Sequence, residues 1–170
     1  MKNQDIPSSI SDIQVIKVKG PWNSKSGGLL NVGFALPREA LTAFLDYDNP
    51  EFTAIKERSG VDIHGLRLYT VKKIPKGSIG AKEWHKARSE CVSVLAGKAL
   101  WQCVDLHGKK REFVLDDSIS VIVPPCILHT YQALEDDTHI QVICNTLFNP
   151  EEPSTHDTYS YESFYDAIRS

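Results

Sequence analysis

Residues 77–97 read GSIGAKEWHKARSECVSVLAG. Three of the polar side chains in this stretch, Glu83, His85 and Glu90, stand at short spacings from one another. Glu83 and His85 are two residues apart, and residues two apart in a β-strand project from the same face. Glu90 follows after KARS, a stretch short enough to be the turn into an adjoining strand. We therefore expect Glu83, His85 and Glu90 to point towards one interior.

A fourth polar side chain, His129, ends the run PPCILH at residues 124–129 and belongs to a strand that can pair nearby. Four such groups can converge inside a small barrel. Two imidazoles and two carboxylates suit a divalent transition metal (Zn, Fe, Mn or Ni), with one or two positions left for water or substrate. The alternative is a barrel that binds no metal, in which Glu83 is a polar filler.

Short strands separated by turns dominate the chain from Ile63 onward. Runs such as LRLYTVKKI alternate between apolar and polar residues, and Gly, Pro and Asp residues separate one run from the next. At least seven short strands in this rhythm are typical of an all-β sandwich or barrel. Trp84 alternates away from Glu83 and His85, so we expect it to pack in the sheet.

The first 58 residues have a different texture. Candidate strands at 13–18 and 29–36 are followed by a helix that begins at Pro37 and by a second one that Gly60 ends. We expect residues 1–58 to form an N-terminal arm or dimerisation element. Residues 59–150 would then form the barrel, and residues 151–170 a C-terminal strap or short helix.

Composition excludes several classes of protein. The chain has 170 residues and a net charge of −3, without the basic excess of a nucleic-acid binder. No apolar run approaches the roughly 18 residues that span a bilayer. The N-terminus lacks the apolar core of a secretory signal, so we expect a cytoplasmic protein. The four cysteines form no CxxC pair, which indicates reduced thiols and excludes a zinc ribbon.

Two motifs resemble those of the cupins, a superfamily of double-stranded β-helix (jelly-roll) barrels. The first cupin motif, G-x5-H-x-H-x4-E-x6-G, matches residues 77–97 at every spacing, with Glu83 in place of the first histidine. The second, P-x-G-x-x-H, matches residues 124–129 with Cys126 in place of the glycine. The resemblance covers about 90 residues and implies a cupin barrel with an N-terminal extension that contains short helices.

A later stretch of the sequence resembles particular members of the cupin superfamily. CNTLFNPEEPSTHDTY, at residues 144–159, is similar to the end of the cupin domain in capsular-polysaccharide sugar-nucleotide epimerase/reductases. The matched positions are Asn145, Phe148, Pro150, Glu151, Pro153 and Thr155. The run IVPPCILHTY resembles deoxysugar 3,5-epimerases, and the tail YSYESFYDAI resembles sugar 3,4-ketoisomerases. This chain lacks the dehydrogenase domain of the first group and has EWHK where the ketoisomerases have HAHK.

The resemblance implies chemistry on a nucleotide-activated 4-keto-deoxysugar. Moving a proton next to a carbonyl needs a base and an acid or cation that steadies the enolate. His85 and His129 are candidate bases, and Tyr131 shares the parity of His129 and is a candidate acid. A metal bound by Glu83, His85, Glu90 and His129 would polarise the carbonyl. A histidine that binds the metal is not a free base, so the two roles compete.

The diphosphate of such a substrate calls for cations. Arg67, Lys72 and Arg88 lie close to the first motif in sequence and are candidates for binding it. Two other interpretations stay open: a metal-dependent cupin of another class, such as a small-molecule dioxygenase, and a non-catalytic sugar-binding cupin. Exposed strand edges also predict a homodimer.

Overall fold

The computed structural model describes residues 8–169, so residues 1–7 of the expected arm and Ser170 of the expected strap lie outside it. The described chain is mostly β-structure. Its strands are β1 (Gln14–Lys17), β2 (Lys19–Asn23), β3 (Leu29–Val32), β4 (His64–Ile74), β5 (Ile79–Trp84), β6 (Glu90–Ala96), β7 (Ala99–Asp105), β8 (Lys110–Leu115), β9 (Ile119–Val123), β10 (Ile127–Ala133), β11 (Thr138–Thr146) and β12 (Tyr159–Ser160). Its α-helices are α1 (Arg38–Phe44), α2 (Pro50–Ser59) and α3 (Tyr161–Arg169).

Two five-stranded antiparallel sheets form the barrel. The first has the strand order β1-β9-β6-β11-β4, and the second has the order β12-β5-β10-β7-β8. One buried cluster joins side chains of both sheets, among them Val92 and Val121 from the first and Trp101 and Ile127 from the second. The sheets therefore pack face to face around a shared core. The prediction of an all-β jelly-roll barrel is confirmed.

Alternation along the strands builds this core. In β7 the buried residues are Ala99, Trp101, Cys103 and Asp105, and the residues between them are partly exposed. The same period of two appears in the first part of β11. Inward side chains of the two sheets thus meet, and outward side chains face solvent.

The described residues before 58 are attached to the barrel through a strand and a helix. β1 pairs antiparallel with β9 and is an edge strand of the first sheet. β2 and β3 form a separate hairpin, and α1 packs through Phe44 against the outer face of that sheet. Asn49 caps α2 by accepting a hydrogen bond from the Glu51 amide.

The C-terminal segment also joins the barrel. After a 3₁₀ turn at Pro153–Thr155, β12 pairs with β5, and Ser160 lies opposite Glu83. α3 then packs over the second sheet, where Phe164 is buried against Trp84. The last residues of the chain thus cover the strand that carries Glu83. No helix within residues 8–169 is long and apolar enough to cross a membrane.

Gly97 lies in the β6–β7 turn, and its substitution tests how closely this turn packs against Thr138. Its φ is +72°, and a Cβ there would lie 2.5 Å from the Thr138 Oγ1 and 3.0 Å from the Thr138 Cα. We expect Gly97→Ala to lower the free energy of unfolding by about 2–4 kcal/mol, because left-handed strain and overpacking add. Urea titration would measure this loss.

Gly60→Ala is the matched control for this prediction. Gly60 has the same φ of +72°, but nothing lies within 4 Å of a Cβ there. This variant carries the backbone strain alone, about 1–2 kcal/mol. Equal losses in the two variants would contradict the close packing of Gly97 against Thr138.

Candidate functional site

Glu83, His85, Glu90 and His129 come together between the two sheets. Glu83 lies near the end of β5, opposite His129 of β10, and His85 directly follows β5. Glu90 begins β6 in the facing sheet. The His85 Nε2 lies 3.5 Å from the Glu90 Oε1 and 3.8 Å from the Glu83 Oε1. The His129 Nε2 lies 3.4 Å from the Glu90 Oε2. The motif spacing thus predicts a real cluster, in which the two imidazoles face one carboxylate.

The two imidazoles present the same nitrogen to this cluster. The His85 Nδ1 contacts the Asp157 carbonyl oxygen at 2.5 Å, and the His129 Nδ1 contacts the Ile127 carbonyl oxygen at 3.2 Å. A carbonyl oxygen only accepts hydrogen bonds, so the Nδ1 of each ring carries a proton. The His129 Nε2 lone pair therefore points at a Glu90 oxygen, whereas the His85 Nε2 also faces the Arg88 Nη1, a donor, at 3.4 Å. At His129, an acceptor that faces an acceptor calls for a proton or a cation between them.

Burial and charge determine the protonation of the cluster. Burial raises the pKa of Glu90, but its interactions with His85, His129 and Arg88 outweigh burial and hold the pKa far below its ordinary value. Burial lowers the pKa of His129 by more than the charge of Glu90 raises it. The resting site therefore holds an ionised Glu90 carboxylate beside a neutral His129 ring.

Arg88 is the counter-charge of Glu90. It is almost fully buried, and its Nη1 lies 3.3 Å from the Glu90 Oε1 and 3.4 Å from the His85 Nε2. Its Nε donates to the Thr146 hydroxyl, and its Nη2 donates to the Thr158 hydroxyl. We expected Arg88 to bind substrate from its position in the sequence. In the structure its guanidinium is already engaged by four side chains.

Asp157 is a site residue that the sequence did not indicate. Its buried carboxylate accepts hydrogen bonds from the backbone amides of Lys86, Ala87 and Arg88 at 2.7–2.9 Å. Its carbonyl oxygen contacts the ring of His85. Asp157 thus shapes the turn that crosses from one sheet to the other. Nothing in the spacing of HDTY connects it with a turn about 70 residues earlier in the chain.

The C-terminal end of β11 supports the same turn. The Asn145 Oδ1 accepts a hydrogen bond from the Ser89 amide at 2.8 Å, and its Nδ2 donates to the Phe44 carbonyl oxygen at 3.0 Å. Asn145 is fully buried. It is the first of the matched positions in the run that begins at Cys144, and its role here is to join the turn, β11 and α1.

Tyr69 is the tyrosine that contacts the cluster. Its hydroxyl donates to the Glu90 Oε1 at 3.3 Å, and burial together with the charge of Glu90 raises its pKa, so it stays protonated. Tyr131, the expected acid, stacks on Trp101, which also stacks on His129. Among residues 8–169, no hydrogen bond joins Tyr131 to the four clustered residues. Tyr69 shares its parity on β4 with Arg67, and this alternation could have identified it.

A cavity of about 330 Å³ lies beside the cluster. Its walls are the side chains of Arg67, Tyr69, Arg88, Phe148 and Thr158. Of the three cations expected to bind substrate, Arg67 and Arg88 line this cavity. Lys72 has the opposite parity on β4, is exposed and is not part of the wall.

Three of the expected metal ligands have suitable geometry. The ligand atoms of Glu83, His85 and His129 lie within 4.8 Å of one another. Glu90, the fourth expected ligand, is not part of this set, and its two oxygens contact the two imidazoles. Two imidazole nitrogens and one carboxylate oxygen suit a transition metal.

Comparisons with known proteins identify the fold. No family model matches the chain, and no curated protein matches its sequence. A sugar 3,4-ketoisomerase from Thermoanaerobacterium thermosaccharolyticum in complex with TDP superposes with a TM-score of 0.62 and 15% identity, over 95% of this chain and 97% of that one. A 3,4-ketoisomerase from Helicobacter canadensis superposes with a TM-score of 0.62 and 11% identity, over 94% and 98%.

The RmlC epimerase of Mycobacterium tuberculosis also superposes, with a TM-score of 0.60 and 13% identity, over 94% of this chain and 89% of that one. These likenesses cover nearly the whole of each chain. The resemblance to cupins of the deoxysugar epimerase and ketoisomerase type is confirmed at the level of the fold.

Glu90→Gln tests the buried ion pair. The change leaves the Arg88 guanidinium buried without a counter-charge, so we expect the free energy of unfolding at pH 7 to fall by about 3–5 kcal/mol. The folded pKa of Glu90 is lowered, so its contribution is fully present above the unfolded pKa of about 4.3 and is lost as the pH falls below it. The difference in the free energy of unfolding between wild type and variant should therefore become smaller in acid. Urea unfolding at several pH values would measure it.

Glu135→Gln is the control for this experiment. Glu135 forms an exposed ion pair with Lys98 at 3.2 Å, so the same substitution there should cost less than about 1 kcal/mol. A gap for Glu90→Gln that stays constant between pH 7 and pH 3 would contradict the ionised state assigned to Glu90.

Proposed function

We propose that this protein moves a proton at the carbon next to the carbonyl of a nucleotide-activated keto-deoxysugar, as an epimerase or keto-isomerase. The observation that carries the proposal is the cluster of Glu83, His85, Glu90 and His129, which lies beside a cavity lined by arginine and aromatic side chains. Solved structures with the same fold include 3,4-ketoisomerases, one of them in complex with TDP, and a sugar epimerase.

Glu83 is the best placed of the four residues to act as the base. Its side chain keeps 29% of its surface exposed, whereas those of His85, Glu90 and His129 keep 3%, 2% and 1%. A general base must come within hydrogen-bond distance of the proton that it removes. The buried histidines lie behind Glu83, with the His85 Nε2 3.8 Å from the Glu83 Oε1.

Removal of the proton leaves negative charge on the carbonyl oxygen of the substrate. Hydrogen-bond donors that are already in place stabilise such an enolate. The Tyr69 hydroxyl and the Arg88 guanidinium both face the cavity and both contact Glu90. Tyr69 therefore takes the acid role that the sequence had led us to expect of Tyr131. Its raised pKa keeps it a donor at every physiological pH.

A metal-dependent reaction is the second candidate function. The observation that favours it is that the ligand atoms of Glu83, His85 and His129 lie within 4.8 Å of one another. These three residues would bind the ion, which would act as a Lewis acid on a substrate carbonyl. In that case Glu83 would bind the metal instead of acting as the base. Loss of metal by a ligand variant distinguishes the two functions.

The biological setting follows from the same resemblances. The match of Asn145 and the residues after it to capsular-polysaccharide enzymes supports a role in supplying sugars for cell-surface polysaccharide, in the cytoplasm. A homodimer is supported by β4, an edge strand of the first sheet that exposes Leu66 and Leu68. Neither side chain lies in the cluster, so the contact would leave the site in place.

Solvent exchange tests the proposed reaction. The protein should incorporate deuterium from D₂O next to the carbonyl of at least one member of a panel of 4-keto-deoxysugar nucleotides, detected by NMR. We expect Glu83→Gln to slow this exchange by about 100-fold or more, the usual contribution of a general base. Glu135→Gln, an exposed change of the same kind, should leave the rate unchanged. No incorporation with any substrate would contradict the proposal. A Glu83→Gln variant that exchanges deuterium at the wild-type rate would indicate that a histidine is the base.

Metal analysis tests the second candidate. Protein purified without a histidine tag should contain one equivalent of transition metal if the ion is resident, and His129→Ala should contain much less. His139→Ala is the control, because His139 lies outside the cluster beside Asp137. Metal-free wild-type protein that still exchanges deuterium would exclude a resident ion from the reaction.

A further inference from the structure

The orientation of the His129 ring is not explained by its polar contacts. Its Nδ1 donates to the carbonyl oxygen of Ile127, two residues earlier on the same strand, at 3.2 Å. The Nε2 of this neutral ring is an acceptor, and it faces a second acceptor, the Glu90 Oε2, at 3.4 Å. Like partial charges repel, so this contact alone favours a ring that turns away from Glu90. A contact with the face of the ring would oppose this rotation.

The indole of Trp101 provides such a contact. It stacks on the His129 ring with an interplanar angle of 13° and 5.4 Å between the ring centres. Offset stacking of this kind is one of the arrangements that aromatic pairs prefer. Both residues are buried, so close packing of the core also restricts their rings.

Tyr131 supports the indole from the same strand as His129. Its ring stacks on Trp101 with an interplanar angle of 10° and 6.0 Å between the ring centres. The strand that carries Tyr131 lies between β5 and β7, and Gly80 of β5 is paired with Tyr131. The Tyr131 ring therefore contacts the neighbouring strands on both sides, Gly80 on one and Trp101 on the other.

Gly80 leaves the space that the Tyr131 ring occupies. A Cβ on Gly80 would lie 2.3 Å from the Tyr131 Cζ, which is closer than atoms in contact can approach. The φ of Gly80 lies outside the left-handed region, so its backbone does not require glycine. The tyrosine ring alone excludes a side chain at this position.

We infer that Trp101 and Tyr131 are positioning residues that hold the plane of the His129 imidazole in the cluster, and that Gly80 provides the space for their stack. This inference rests on the proposed function, because it concerns the geometry of that site. It gives Tyr131 a role in which the ring matters and the hydroxyl does not. Side chains of a reactive site are held in productive geometry by packing of this kind.

A displaced His129 ring would affect the whole cluster. Its Nε2 contacts Glu90, and His129 is paired with Glu83 across the sheet. A misplacement of about 1 Å is enough to slow a reaction by about 100-fold. A side chain at Gly80 would therefore act on the cluster at a distance, through Tyr131 and Trp101.

Nuclear magnetic resonance tests the stack without any substrate. In the wild-type protein, nuclear Overhauser contacts should join the ring protons of His129 to those of Trp101, because the two rings stack. Gly80→Ala should displace the His129 ring signals, which are assigned by their absence from His129→Gln. Gly80 is not paired with His129, so this displacement would pass through Tyr131 and Trp101. Unchanged His129 signals in Gly80→Ala would overturn the inference.

Deuterium exchange into the keto-sugar nucleotide tests the consequence for the reaction. Gly80→Ala and Tyr131→Leu should lower kcat by about 10- to 100-fold, the scale of a small misplacement. The KM should stay near that of wild type, because neither residue lines the cavity. Tyr131→Phe keeps the ring and should restore the rate. A Tyr131→Phe variant as slow as Tyr131→Leu would overturn the inference, because it would place the role in the hydroxyl.

Gly97→Ala is the matched control. A Cβ on Gly97 would lie 2.5 Å from the Thr138 Oγ1, so this variant is also overpacked, but outside the stack. Its His129 signals and its kcat should match those of wild type at a temperature where it is folded. Equal changes in Gly97→Ala and Gly80→Ala would overturn the inference in favour of a general loss of stability.

The two measurements separate this inference from the proposed reaction. Thermal unfolding shows whether each variant is folded, and Trp101→Phe provides a milder change to the stack if Tyr131→Leu is not. Displaced His129 signals in Gly80→Ala, without deuterium exchange in the wild type, would support the stack and contradict the reaction. Displaced signals with wild-type exchange would support the reaction and overturn the positioning role.

Discussion

The buried ion pair between Glu90 and Arg88 is the interaction on which the organisation of the site depends. Glu90 starts a strand of one sheet, and Arg88 lies in the turn that arrives from the other. A buried carboxylate is tolerated only where hydrogen bonds and opposite charge replace its lost hydration. Arg88 and Tyr69 supply them, so β4, the start of β6 and the turn before it are held at one point.

Much of this site could be predicted from the sequence, because strand geometry converts spacing into direction. Glu83 and His85 converge because residues two apart share a face, and the turn after His85 is just long enough to bring Glu90 opposite them. The same alternation separates Arg67 and Tyr69, which face the cavity, from Lys72, which faces away. The strand rhythm predicted an all-β sandwich or barrel, and the resemblance to the cupin motifs narrowed this prediction to a jelly-roll. The solved structures of this fold named above share only 11–15% identity with the chain.

What the sequence could not show were contacts between distant segments. Parity alone places Tyr131 on the face of His129. In the structure, however, the Tyr131 ring stacks on Trp101 and lies directly over Gly80, where there is no room for a Cβ. Whether Arg88 is free to bind a ligand depends on whether it is already paired with a carboxylate, and only the folded structure shows its pairing with Glu90. Asp157 is the clearest case, because its partners are backbone amides, which every residue but proline carries and no motif marks.

The carboxylate of Asp157 holds the turn at Lys86–Arg88, while its carbonyl oxygen orients the His85 ring. During synthesis, the ribosome releases His85 about 70 residues before Asp157, at roughly 5–20 residues per second. For several seconds the nascent barrel therefore contains a histidine whose ring is not yet oriented and a turn with three amides still open to water. The cluster is completed only by one of the last segments to be translated, so a partly synthesised chain does not yet hold the His85 ring in place.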